Sequence, residues 1–124
     1  ADVLFYPTAI GWHPLEKEQY GENQHGAWMN VMKGHAVANG VYVAAANRIG
    51  LEQYLPDTAG IQFWGSSFIA GPQGEILVQA SHDKEEILIA EVDLDLQENV
   101  RQNWPFFRDR RIDAFGDITK RAIA

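Results

Sequence analysis

The sequence predicts a layered α/β fold, a mixed sheet with one long helix laid against it. Three observations carry that reading. The runs "VLFY" at 3–6 and "VYVAAA" at 41–46 are apolar without alternation, as strands covered on both faces are. Between them, Trp28, Val31, Met32 and His35 recur at i, i+3, i+4 and i+7, one face of a helix. After residue 60, short β-rich segments alternate with turn residues.

The elements follow in order. Val3 to Tyr6 reads as a buried strand that Pro7 ends. Residues 7–24, with Gly11, Pro14, Gly21 and a polar middle "EKEQYGENQ", read as loop. A helix is expected from about His25 to Asn39, with Gly40 as its left-handed stop. Val41 to Ala46 is the second strand, and "NRIG" at 47–50 ends it. Residues 51–60 read as a surface loop. Ile61–Trp64 and Ser66–Ala70 form one strand bent near Gly65. "GPQG" at 71–74 is a turn, since Pro72 presets φ and Gly74 suits the last position. Strands over 75–80 and 86–92 complete an antiparallel meander. Residues 93–104 form a short helix capped by Asp93 or Asp95, and a basic-aromatic tail follows Pro105. One long helix covers at most one face of such a sheet, so the other face needs a partner: further sequence, a second subunit, or both.

At 124 residues with 46% hydrophobic content, the chain is the size of one domain with a real core, and no interdomain linker interrupts it. No apolar run approaches the roughly 20 residues of a membrane span, so no membrane partner is expected. A net charge of −7, with a single basic run "RDRR" at 108–111, argues against nucleic acid as a partner. There is no cysteine, which removes disulfides and a thiol nucleophile from these residues and fits a reducing, cytoplasmic setting. Ala1-Asp2 leads straight into a strand, as a cut inside a larger domain does.

No complete catalytic set emerges from the residues. His13, His25, His35 and His82 lack metal-ligand spacing, so no metal site is expected. "GSSFIAG" at 65–71 is not G-x-S-x-G and sits in a strand rather than a strand-to-helix turn. No phosphate loop occurs. Glu85, Glu86, Glu91, Asp93 and Asp95 read as a solvated rim and a helix cap. Asn47 and Arg48 are more pointed. A polar pair closing a buried strand sits where functional groups sit in α/β sheets; equally, Asn47 can brace a neighbouring loop and Arg48 close a surface ion pair.

Four segments in order, "FYPTAIGW" (5–12), "MKGHAVANGVYVAAANRIG" (32–50), "FWGSSFIAGPQGEIL" (63–77) and "FFRDRRIDAF" (106–115), resemble the C-terminal part of a carbon–nitrogen hydrolase of the nitrilase superfamily. The resemblance covers nearly the whole chain, so residues 1–124 read as a single, partial hydrolase domain. It implies the C-terminal part of an α-β-β-α sandwich that assembles at least as a homodimer. It implies hydrolysis without a cofactor by a Glu-Lys-Cys triad, in which cysteine attacks, glutamate is the base and lysine holds the oxyanion. All three fall upstream of Ala1, so the chain alone carries no catalytic residue.

What the resemblance does carry over is a substrate wall: Pro7, Thr8, Ala9, Ile10 and Gly11, with Trp12 offering apolar surface to an aliphatic chain. Asn47 and Arg48 support that loop. Phe107, Arg108, Asp109 and Arg110 match the family's subunit-interface segment. "HAVAN" at 35–39 departs from the "RAxEN" pattern of many members at His35 and Ala38, and matches a branch acting on a carbamoylated diamine. Glu16, Glu18 or Glu22 would meet the distal ammonium of such a substrate. Sister amidases, and a free-standing binding module that reuses half the fold, are the competing readings.

Overall fold

A computed structural model describes residues 1–121; the last three residues of the tail lie outside them. Two sheets share the chain. Strands β1 (Val3–Thr8), β3 (Tyr42–Asn47), β6 (Phe68–Ala70) and β7 (Ile76–Gln79) form one, in that spatial order. Strands β2 (Gly11–Trp12), β5 (Ile61–Trp64) and β4 (Ile49–Glu52) form the other. β1 and β3 are parallel and joined through helix α1 (Lys17–Asn39); every other pairing is antiparallel. The fold is the expected mixed α/β layer with one long helix. Among the described residues, no helix is long and apolar enough to cross a membrane.

Several boundaries differ from the sequence reading, each for a physical reason. Pro7 does not end β1, which stays in register with β3 from Val3–Tyr42 to Thr8–Asn47. β1 is the edge of its sheet, where a proline nitrogen can face the unpaired side without losing a ladder bond. Helix α1 begins at Lys17, not near His25. Gly21, which reads as a loop breaker, is a site of close approach. A Cβ there would lie 2.9 Å from the Trp12 indole nitrogen, which donates to the Gly21 carbonyl. The buried line of α1 is Gly21, Trp28, Met32 and Ala36. Val31 is 61% exposed and His35 is exposed, its ring stacked on Tyr6.

"NRIG" does not end the sheet structure but passes it on. Arg48 separates β3 from β4, which pairs with β5, so the loop shrinks to residues 53–60. The bend at Gly65 is a change of sheet: β5 lies in the three-stranded sheet and β6 in the four-stranded one. Gly65 and Ser66 both take left-handed conformations, with φ of 54° and 56°. Segment 86–92 forms no strand. No described strand lies beside it to complete a ladder, and Ile87 and Ile89 are 90% and 85% exposed. The Gly40 stop and the 71–74 turn form as read; Gly40 has φ 56° and the Gly74 N–H donates to the Gly71 carbonyl at 2.9 Å.

The core lies between α1 and the inner face of the four-stranded sheet: Trp28, Met32 and Ala36 against Val43, Ala45, Phe68 and Ala70. An aromatic cluster extends it toward the second sheet. Trp64 packs 5.3 Å from Trp12, 5.5 Å from His25 and 5.9 Å from Trp28, centroid to centroid, and Trp28 meets Phe68 edge-on at 5.6 Å. The opposite face of the four-stranded sheet carries the cross-strand row Phe5, Ala44, Ile69 and Val78. It is closed at its Tyr42 end, where the buried hydroxyl bonds the Asp93 main chain, but Phe5 stays 76% exposed.

Helix α2 (Leu94–Asn103) is capped by Asp93, which accepts from the Leu96 N–H at 2.9 Å. Its buried Gln97 donates to the Asp2 carbonyl at 2.7 Å, and Arg101 reaches the carbonyls of Gly40 and Ala1. The helix thus clasps the start of β1 to the end of α1.

Two outcomes follow from this packing. Phe68 is fully buried, so Phe68→Ala is expected to cost about 3–5 kcal/mol in urea unfolding, with the m-value unchanged. His25 is half-buried among tryptophans, and desolvation lowers its pKa below 6.5. The unfolded chain therefore binds the proton more readily. The stability that neutral His25 contributes is fully present above pH 6.5 and is lost as pH falls through the lowered value. His25→Phe is expected to flatten the fall in melting temperature between about pH 7.5 and pH 5, measured against the unmodified protein.

Candidate functional site

The segment Pro7–Trp12 leaves the four-stranded sheet and enters the three-stranded one, and Asn47 holds the crossing. Its side-chain oxygen accepts from the Thr8 hydroxyl and the Ile10 N–H, both at 3.0 Å. Its side-chain nitrogen donates to the carbonyls of Ile10 and Gly65, also both at 3.0 Å. The amide thus satisfies both main-chain groups of Ile10, as a neighbouring strand would. Asn47 also donates its own N–H to the Ser67 hydroxyl at 2.9 Å. Gly11 then packs so closely on β5 that a Cβ would fall on the Gln62 carbonyl and 2.6 Å from the Phe63 Cα. An apolar loop with few charges is thereby accounted for, since its polar main chain is bound internally.

The structure does not gather the whole predicted wall into one pocket. Pro7, Thr8 and Ala9 line a depression of about 460 Å³ with Ala46, Asn47 and Arg48. A neighbouring depression of about 530 Å³ shares Ala46, Asn47 and Arg48 and is bordered by Lys84, Glu85 and Glu86. Ile10 and Gly11 instead line a third, largely apolar groove of about 640 Å³ with His13, Glu16, Trp28 and Trp64. Trp12 turns into the aromatic cluster, with the Lys17 ammonium 4.5 Å from its ring centroid. Of the three candidate carboxylates, Glu16 lines the groove beside Ile10; Glu18 and Glu22 are exposed on α1.

Two of the charged side chains around these depressions have defined partners. Arg48 bonds Glu52 at 2.5 Å on the surface, and its guanidinium lies 4.3 Å from the ring centroid of buried Phe63. The N–H and hydroxyl of Ser81 both donate to Glu86 at 2.6 Å and hold its carboxyl below the ordinary range. In the tail, Arg108 binds Asp109 at 2.7 Å and keeps that carboxyl low as well. Arg110 lies over the half-exposed Phe107 ring and donates to its carbonyl. Sequence reasoning missed Thr8, Gly65 and Ser67 as Asn47's partners. The contacts join positions 18 to 39 residues apart, so no local spacing reveals them.

Among the described residues, no group of three histidine or acidic side chains could hold a metal. What this wall can do chemically is shape and exclude. It offers small apolar side chains, a braced main chain and a rim of carboxylates.

The profile of the family described as "Carbon-nitrogen hydrolase" matches residues 1–102. An N-carbamoylputrescine amidase of Arabidopsis thaliana is 46% identical over 117 residues, which are 93% of this chain and 38% of that protein. A citrullinase of Francisella tularensis is 37% identical over 98% of this chain and 41% of its own length. The crystal structure of a carbon–nitrogen hydrolase from Helicobacter pylori G27 superposes with a TM-score of 0.92 at 47% identity, covering 99% of this chain and 42% of that one. The chain therefore spans about two fifths of the relatives it matches. With a family profile over most of its length and that backbone agreement, the chain belongs to the carbon–nitrogen hydrolase family.

Proposed function

We propose that these residues form the C-terminal part of an amidohydrolase that cleaves N-carbamoylputrescine with water to putrescine, ammonia and carbon dioxide. The observation that carries this is the 46% identity, across 93% of the chain, to a protein named for that activity. The named substrates of that relative and of the citrullinase both end in a ureido group on an aliphatic chain, which points to a shared reacting centre. The attacking cysteine, the glutamate base and the oxyanion lysine come from sequence outside these residues. No cofactor is required. This chain supplies the wall over Pro7–Gly11, braced by Asn47; of the three carboxylates, Glu16 is the candidate to meet the distal ammonium, since it lines the apolar groove. A carboxylate–ammonium pair there would select the diamine over neutral amides more than it would add raw affinity.

The complete protein is at least a homodimer in this reading. The half-exposed aromatic tail at Phe107 supports an interface, with Arg108, Asp109 and Arg110 at its edge. The enzyme works in the cytoplasm.

The complete protein is expected to release ammonia from N-carbamoylputrescine, whereas residues 1–124 alone release none. Preference for carbamoyl-β-alanine or a nitrile would refute the substrate assignment. Glu16→Gln is expected to raise KM for the cationic substrate about tenfold, with kcat and the KM for a neutral amide little changed. Sedimentation of the complete protein as a monomer would refute the assembly.

A further inference from the structure

We infer that Asn47 is a positioning residue that sets chain-length selectivity by fixing the depth of the Pro7–Gly11 wall. The inference rests on the hydrolase reading above and goes beyond it, because Asn47 reaches no reacting atom. Its side chain satisfies both main-chain groups of Ile10 and ties that residue to the Gly65 carbonyl and the Thr8 hydroxyl, four bonds of 3.0 Å each. These partners lie on separate parts of the chain: the crossing from β1 to β2, and the left-handed bend between β5 and β6. Ile10 lines the apolar groove with Gly11 and Glu16, while Thr8 and Asn47 line a separate depression. One amide therefore sets the spacing between the two hollows. A wall fixed at that spacing discriminates among aliphatic chains of different length, whereas a loose wall accepts several.

The amide is needed for its donors as well as its acceptor. In Asn47→Asp the carboxylate still accepts from Ile10 and Thr8, but an oxygen without a proton then faces the carbonyls of Ile10 and Gly65. Below the carboxyl's own pKa the acid form regains one O–H donor and restores one of the two bonds. Thr8→Val removes one of the four Asn47 bonds, together with the hydroxyl's contact to the Ala46 carbonyl, and is the milder variant.

The test uses the complete protein with Asn47→Asp and with Thr8→Val. Kinetics are read on carbamoylated diamines of increasing chain length, and amide hydrogen exchange on the peptide spanning residues 8–12. The expected result for Asn47→Asp is faster exchange there, a KM raised about tenfold or more for the preferred diamine, and a flattened chain-length preference. The ratio of its kcat/KM to that of the unmodified enzyme should rise as pH falls toward the carboxyl range. Thr8→Val should change the same quantities by less. Unchanged exchange at residues 8–12 overturns the inference. So does a loss confined to kcat with chain-length preference intact. If the unmodified enzyme hydrolyses no carbamoylated diamine, the substrate reading fails. The exchange measurement, and the same kinetic split on whichever linear amide it cleaves, then decide the role of Asn47 separately.

Discussion

The architecture depends on the bend at Gly65–Ser66. A single run of chain supplies β5 to one sheet and β6 to the other, and it can do so because two successive residues adopt left-handed φ. Glycine takes that conformation freely; a side chain at Gly65 would meet the His82 carbonyl and Ile49 at 2.8 Å. Serine at position 66 tolerates it with compensation. Its hydroxyl donates to the Trp64 carbonyl at 3.0 Å, and its N–H to the Ser81 carbonyl at 3.0 Å. Trp64, immediately before the bend, is thereby driven into the aromatic cluster that joins both sheets to α1. The same bend aims the Gly65 carbonyl at Asn47, so the fold's main irregularity is also the anchor of the candidate wall.

Much of this layout is legible in the sequence because it depends on local chemistry. Apolar runs identify β1 and β3, the left-handed preference of glycine identifies the Gly40 stop, and an acidic cap at Asp93 or Asp95 announces α2, with Asp93 the one that forms. The sheet assignment of 61–70 is not legible. Gly65 signals a bend, but which sheet each half joins is decided by pairings to Gly11 and Glu52 on one side and to Val43 and Gln79 on the other. The first turns of α1 are hidden because their exposed polar residues carry no apolar period, and because Gly21 serves a tertiary contact with Trp12. Segment 86–92 shows the converse. Its composition suits a strand, yet a strand exists only where a neighbour supplies the ladder.

The candidate wall divides the same way. That Pro7–Gly11 is short of solvating groups is visible in one dimension. That Asn47 satisfies it is visible only in three, because the partners are remote along the chain. Of the two readings of Asn47 and Arg48, functional position or structural brace, the contacts show the brace. Asn47 does brace a loop and Arg48 does close a surface pair with Glu52, and both residues line the depressions beside Pro7. Trp12 belongs to the core side of the same segment, so one short stretch serves packing at one end and access at the other.

The clasp made by α2 bears on the order of folding. Gln97 and Arg101 bond residues 95 and 100 positions away, so each closes nearly the longest loop these residues can form. Loop-closure entropy grows with that span, so contacts of this kind are expected to form after the local helix and the β1–α1–β3 unit. Bonds absent from the transition state leave the folding rate almost untouched and act on the rate of opening. The helix is therefore a kinetic lock on the first residues of β1, and it governs how long the sheet stays closed rather than how fast it assembles.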